Sequence, residues 1–280
     1  MSRRRVTTRG ADADASLGTH YLHDNSGSDC LGARHRAAVS ARRRGRTTAP
    51  ASRVLWVRRH LVAILGGLEQ SSQSYQLIIP DLRGHGGSTN PSGEFTMRQS
   101  ALDIIALLDH LGIERVKAIG MSGGGMTLLH LATQQPDRVE ALVLISATTH
   151  FPEQARTLTR STTEEAQTED SWDMMRTLHR RGDEQIRALW RVARGFADSH
   201  DDMAFTPDAL SGVAAPTLIV HGDRDPFFPL EIALSMHAAI PTSWLWVVPN
   251  GGHLNLVAEG LSDQFVATAS TFLRGDWTQP

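Results

Sequence analysis

Ala118-Ile119-Gly120-Met121-Ser122-Gly123-Gly124-Gly125 is the stretch on which the reading of this chain turns. The apolar run Val116 to Ile119 enters a G-x-S-x-G pattern and leaves into Met126-Thr127-Leu128-Leu129-His130-Leu131, which reads as a helix. A strand that turns sharply into a helix needs residues without a Cβ on either side of the corner. Gly120 and Gly124 supply them, and Ser122 is pushed into a strained, exposed position. By composition alone the pattern arises by chance in roughly one chain of this length in ten. Its weight therefore depends on whether the chain brings a base and an acid to that serine.

Outward from this corner the chain alternates. Upstream, Tyr75-Gln76-Leu77-Ile78-Ile79 reads as a buried strand closed by Pro80-Asp81, followed by the loop Leu82-Arg83-Gly84-His85-Gly86-Gly87-Ser88. Thr96 and Gln99 make a capping box, and the helix they open carries Met97, Ala101, Ile104, Leu108 and Leu111 on one face. Downstream, Gly123 to Gln134 is the next helix and Ala141 to Ile145 the next strand. Strand, helix, strand, helix at this spacing predicts a parallel sheet with helices on both faces. From His150 to Gly212 the pattern is helical and strand-free, with one apolar stripe on Ile186, Leu189, Trp190, Ala193 and Phe196 and another on Trp172, Met175 and Leu178. The alternation then resumes: strands at Pro216–Val220 and Trp244–Val248, helices at Leu230–Ala239 and Gly260–Leu273.

In open parallel sheets, function collects beyond the carboxyl ends of the strands. Ser122 follows one strand, His221-Gly222-Asp223-Arg224-Asp225-Pro226 another, and Pro249-Asn250-Gly251-Gly252-His253 a third. A serine hydroxyl needs a base within reach, an imidazole can take and return that proton, and a carboxylate behind it fixes the tautomer. The order Ser, Asp, His is the one this chemistry takes on an α/β sheet. Asp223 and Asp225 compete for the acid role; Asp223 follows Gly222 directly, which suits it to capping the turn, and Asp225 is the favoured partner of the histidine.

Asp81-Leu82-Arg83-Gly84-His85-Gly86-Gly87-Ser88, Gly120-Met121-Ser122-Gly123-Gly124, His221-Gly222-Asp223-Arg224-Asp225 and Gly252-His253 resemble, in order and spacing, four motifs of the α/β-hydrolase family. The resemblance covers roughly residues 70 to 275. It implies an α/β fold with a sheet of about eight mostly parallel strands, and a helical lid inserted after the sixth. By the same resemblance Ser122 is the nucleophile, Asp225 the acid and His253 the base, and the Asp81–Ser88 loop is structural. It implies a serine hydrolase or esterase acting on a small ester or acyl compound. The expected domains are a core at 51–149 and 213–280 and a lid at 150–212.

One donor for the oxyanion is expected from the Gly123 N–H and a second from the loop after the third strand. Relatives of this kind open that loop with His-Gly about thirty residues before the Asp81 motif. Here that window holds Ala41-Arg42-Arg43-Arg44-Gly45-Arg46-Thr47-Thr48-Ala49-Pro50, with no aliphatic strand before it. The sequence thus predicts an atypical third-strand region and an Arg-rich, poorly ordered segment over 1–50, with only Thr19–Leu22 and Val54–Val57 offering short strands. A stretch read out of frame over 31–55 accounts together for the arginine excess, the lack of acids and the lost strand. A divergent loop and an interaction arm are the competing readings, and the arm goes with an impaired, binding-only protein. Met121, Phe227 and Trp172 are the expected substrate contacts.

Composition narrows the rest. The net charge of −2 gives no overall field for nucleic acid, and the single cysteine, Cys30, excludes an internal disulfide and a Cys-based zinc site. No run approaches a membrane span, and the Arg-rich start has no apolar stretch behind it. The expectation is a cytoplasmic protein with no cofactor, no metal, and no nucleic-acid or membrane partner.

Overall fold

A computed structural model of the chain describes residues 20–21, 38–42, 52–57, 75–253 and 261–277. Eight strands form one sheet: β1 (His20–Tyr21), β2 (Ala38–Arg42), β3 (Ser52–Val57), β4 (Tyr75–Pro80), β5 (Val116–Met121), β6 (Val139–Ile145), β7 (Thr217–Gly222) and β8 (Ser243–Val248). Their order across the sheet is β1-β2-β4-β3-β5-β6-β7-β8. Only β2 runs against the others, pairing antiparallel with β1 on one side and β4 on the other.

The short strand offered at Val54–Val57 is present as β3 and fills the place of the central strand that was expected to be missing. Ser52–Val57 lies parallel between β4 and β5, with Leu55 opposite Ile78 on one side and Ala118 on the other. The run Val54-Leu55-Trp56-Val57 has the β-branched and aromatic content a central strand needs. It lies downstream of the Ala41–Pro50 window in which the His-Gly loop was expected, while Ala38–Arg42, a stretch not expected to form a strand, pairs antiparallel with β4 as β2. Val57 pairs with Gly120, which ends this strand beside the serine corner. The expected helical turns at Leu61–Leu68 lie outside the described residues, as does most of 1–50.

The strands feed two cores, one on each face, because successive side chains alternate. Leu55, Ile78, Val116, Ala118, Leu142, Leu144 and Ile219 point to one face, packed under helices α1 (Met97–His110), α2 (Gly123–Gln134) and α7 (Leu230–Ala239). Leu77, Ile79, Ile119, Met121, Val143, Leu218 and Val220 point to the other, under the last helix, α8 (Leu261–Arg274). Each such fully buried Leu or Ile contributes about 1.5–3 kcal/mol. Thr96 caps α1 as expected, accepting the Gln99 N–H at 3.0 Å, whereas Leu111, expected on its apolar face, is its exposed C-cap.

Between β6 and β7 the chain forms four helices, α3 (Glu153–Arg160), α4 (Glu169–Leu178), α5 (Asp183–Gly195) and α6 (Pro207–Ser211). Buried Ile186, Leu189 and Trp190 carry the inner stripe of α5. Buried Arg156 ties the insertion together by donating to the carbonyls of Phe151, Ala197 and Ser199 at 2.9, 2.7 and 2.8 Å. No helix among the described residues is long and apolar enough to cross a membrane.

Candidate active site

The corner after β5 is tight for a steric reason. A Cβ on Gly120 would lie 2.6 Å from Gly124 C and 2.7 Å from Gly125 N, and one on Gly125 would lie 2.8 Å from Ala147 Cβ. Only glycines let strand and helix approach this closely. Ser122, between them, is held at φ 52°, ψ −120°, a region that costs a non-glycine residue about 1–3 kcal/mol. Its N–H donates to Ile145 O at 2.8 Å, and its carbonyl accepts the first helical bond, from Met126 N at 2.9 Å. Gly123 opens α2, so its N–H is one of the helix-start donors without an intrahelical acceptor.

The loops after β7 and β8 are stitched into one surface. Asp223 N–H donates to Val248 O at 3.2 Å and Arg224 N–H to Gly251 O at 2.9 Å. A Cβ on Gly222 would lie 2.7 Å from Gly252 O, so this approach too requires glycine. Asp223 is exposed at the turn, whereas the Asp225 side chain is 0% exposed. One Asp225 oxygen accepts the Phe227 and Phe228 N–H groups at 2.8 and 3.1 Å, and the other receives His253 Nδ1–H at 2.8 Å. The His253 proton must sit on Nδ1, since a carboxylate only accepts. That leaves Nε2 to accept from Ser122 Oγ at 2.8 Å.

Burial works to raise the Asp225 pKa. The His253 hydrogen bond and charge, with the two backbone amides, outweigh it and hold the carboxyl below its ordinary value. The acid therefore stays ionised at neutral pH behind the imidazole. His221, buried beneath the turn, holds it from below: its Nε2 donates to Phe228 O at 2.8 Å.

Ser122, Gly123 and His253 open into a cavity of about 860 Å³ between the sheet end and the helical insertion. Phe227 lines it, with its ring 4.9 Å from that of His253. The other two expected contacts do not line it. Met121 shares the parity of Ile119 and is buried in the opposite core, 1% exposed. Trp172 packs edge-on against Trp190 at 4.4 Å, with the Arg176 and Arg187 guanidiniums over its ring. The wall is formed instead by residues the sequence did not mark as substrate contacts: Phe95, Met97, Phe151, Phe196, His85 and His179. Phe151 and Phe196 stack at 5.1 Å, and Phe95 meets Phe196 edge-on at 6.1 Å. Met97 lies over Gly123, its sulfur accepting the Thr127 hydroxyl at 3.8 Å. Met97, the first buried residue after a helix cap, Phe196, on an apolar stripe, and His85, in a loop motif, carried a sequence signal, but none that pointed to the cavity. The phenylalanines come from separate segments, with no shared pattern.

Among the described residues no three His, Cys, Asp or Glu side chains converge as metal ligands. The arrangement has what acyl transfer needs: a hydroxyl, an imidazole with a free lone pair towards it, an ionised acid behind, and a helix-start N–H beside the hydroxyl.

The alpha/beta hydrolase fold family matches residues 48–167. The chain is 29% identical over 226 residues to the 2-hydroxymuconate semialdehyde hydrolase of Pseudomonas putida, covering 74% of this chain and 80% of that one. It is 26% identical over 215 residues to the human serine hydrolase BPHL, covering 71% and 70% of the two chains. Its fold is also that of a thermophilic esterase from Thermogutta terrifontis, with a TM-score of 0.68 at 21% identity, over 93% of this chain and 100% of that one.

Proposed function

Because the chain belongs to the α/β-hydrolase fold family, we propose that it is a serine hydrolase that cleaves a carboxylic ester or related acyl bond through an acyl-enzyme on Ser122. The observation that carries this reading is the unbroken hydrogen-bond line from Ser122 Oγ through His253 to Asp225, both links 2.8 Å, facing a cavity of about 860 Å³. Hydrolases are among its relatives, one named for a semialdehyde, and a solved structure of the same fold is an esterase.

In the proposed mechanism, Ser122 Oγ attacks the acyl carbonyl as His253 Nε2 takes its proton. Asp225 stabilises the imidazolium without itself becoming protonated. The oxyanion is met by the Gly123 N–H at the start of α2. His253 then returns the proton to the leaving group, the acyl-enzyme forms, and water attacks it by the same route in reverse. The helical residues 150–212 act as the lid, and Phe95, Phe151, Phe196 and Phe227 favour an apolar acyl or leaving group.

Labelling with a fluorophosphonate tests the reading. Covalent modification of Ser122 in folded protein, absent in Ser122→Ala, is expected. Folded protein that stays unlabelled would instead mark a hydrolase-fold binding protein with an incomplete oxyanion hole.

A further inference from the structure

The insertion is fastened to the core at a place that the serine chemistry does not use. His179 is the C-cap of α4, with extended backbone at φ −116°, ψ 116°, and is buried at 5% exposure. Its Nδ1 accepts the Gly86 N–H at 3.0 Å. Arg180 N–H donates to Gly86 O at 3.1 Å, and Gln185 Nε2 donates to Gly84 O and Gly86 O at 2.7 and 3.1 Å. All four bonds land on the 81–88 loop.

That loop is a rigid anchor. Gly84 and Gly86 sit at φ 72° and 52°, and a Cβ on Gly86 would fall inside the Asp81 carboxylate. Asp81 Oδ2 accepts the Gly87 N–H at 3.0 Å, and Ser88 Oγ donates to Asp81 O at 2.7 Å. Both sides of the fastening line the cavity: Asp81, His85 and Gly86 from the loop, and Leu178, His179 and Leu189 from the insertion. Whatever loosens it moves a wall against which a ligand packs.

We propose that His179 is a positioning residue: a neutral imidazole whose Nδ1 latches the insertion to the 81–88 loop and fixes the substrate wall, and whose protonation releases it. The substrate half of this proposal rests on the serine hydrolase reading above. Only a ring nitrogen with a lone pair can accept an N–H, so the neutral ring carries its proton on Nε2. Protonation puts a second N–H at Nδ1, aimed at the Gly86 N–H, and an attraction becomes a repulsion.

Other charged groups stand around this point. From the loop these are Asp81, His85, with its ring centroid 5.7 Å away, and Arg83, paired with Asp103 at 2.7 Å. From α4 and the turn there are Arg176, bonded to Glu169, Asp173 and Asp183, together with Arg180 and Arg181, and from α5 Glu184. His85 is not the switch, because its Nδ1 donates to Arg83 O at 2.9 Å, a bond that survives protonation of the ring.

Two substitutions separate the latch from simple packing. His179→Asn places an amide oxygen near the Nδ1 position with no proton to gain, and His179→Leu keeps volume without an acceptor. In the full chain, hydrogen exchange at the Gly86 amide, corrected for chemical exchange, is followed between about pH 7.5 and 5.5, across the imidazole range. KM and kcat for p-nitrophenyl butyrate are measured in parallel. In wild type, Gly86 protection should fall and KM rise about three- to tenfold on acidification, the worth of one ordinary hydrogen bond. His179→Asn should hold both constant, keeping only the fall in kcat from His253. His179→Leu should show low protection and raised KM throughout. The proposal is overturned if wild type and His179→Asn follow the same pH dependence of protection, a comparison that stands even if the leucine variant does not fold. It is likewise overturned if His179→Leu matches wild type at pH 7.5. Should no variant turn over the ester or react with a fluorophosphonate, the hydrolase reading fails, and the Gly86 exchange data still decide the latch.

Discussion

Replacing Asp225 by asparagine removes a charge while leaving the shape of the site intact. The wild-type carboxylate divides its work: one oxygen takes the Phe227 and Phe228 N–H groups, and the other takes His253 Nδ1–H at 2.8 Å. In the variant, the amide oxygen must keep the two backbone donors, because turning the NH₂ towards them would set N–H against N–H. The NH₂ then faces Nδ1 and draws the lone pair there, so the imidazole proton moves to Nε2. A protonated Nε2 cannot accept from Ser122 Oγ. Turnover should fall about 10⁴-fold, or about 5.5 kcal/mol of lost transition-state stabilisation, with KM little changed. Initial rates on a p-nitrophenyl ester give the loss, and thermal unfolding shows that the fold is retained. Asp223→Asn is the control and should stay within about twofold, since Asp223 is exposed and only its backbone N–H is used, on Val248 O. Asp225→Asn retaining more than about a tenth of wild-type kcat, or Asp223→Asn causing the larger loss, would refute the reasoning.

Other expectations follow from the strain, the packing and the charges. Ser122→Gly should melt above Ser122→Ala by the equivalent of about 1 kcal/mol, because glycine relieves the φ of 52° at some entropic cost; equal midpoints would mean that no strain is stored there. Gly120→Ala should lose about 2 kcal/mol or more, since its Cβ would meet the backbone of Gly124 and Gly125, and denaturant unfolding measures it. Arg156→Leu should cost about 3 kcal/mol by leaving the carbonyls of Phe151, Ala197 and Ser199 without their donor, again read by denaturant unfolding. Stability should also depend on pH in two steps. Burial, partly offset by the Asp202 carbonyl and charge, lowers the His130 pKa below 6.5, so the unfolded chain binds the extra proton and stability falls as pH drops below about 6.5. The lowered Asp225 pKa contributes stability above about 3.8 that is lost as pH falls through its folded value. His130→Phe should flatten the first step and Asp225→Asn the second, in unfolding free energies measured against pH.

What the sequence told and withheld follows from how local each signal is. The corner at Gly120–Gly125, Asp225 and His253 each lie within a few residues of the end of an apolar strand, and α2 and α7 begin and end where the periodicity placed them. That Asp225 rather than Asp223 meets His253 is also local, since Asp223 is exposed in the turn and Asp225 is buried. The cavity wall was not legible, because Phe95, Phe151 and Phe196 meet only once the insertion folds over the sheet. Met121 was misplaced for a reason the sequence did contain: it shares the parity of Ile119 and so faces away from the serine side. Trp172 was misplaced because nothing in its own stripe foretold Trp190 and two guanidiniums around it. The central strand is legible as the short apolar run Val54–Val57, but its place in the sheet is not, because that run stands closer to Asp81 than the spacing of relatives predicts. The acceptor role of His179 depends on a glycine amide far away in the chain, which no local pattern announces.

The most direct measurement of the central claim is the mass of the peptide bearing Ser122 after turnover of p-nitrophenyl acetate is quenched in acid. An acetyl group on Ser122 in the wild-type chain, absent in Ser122→Ala, is the predicted result. Hydrolysis that proceeds with no acyl group on Ser122, or with the group on another residue, would contradict the account.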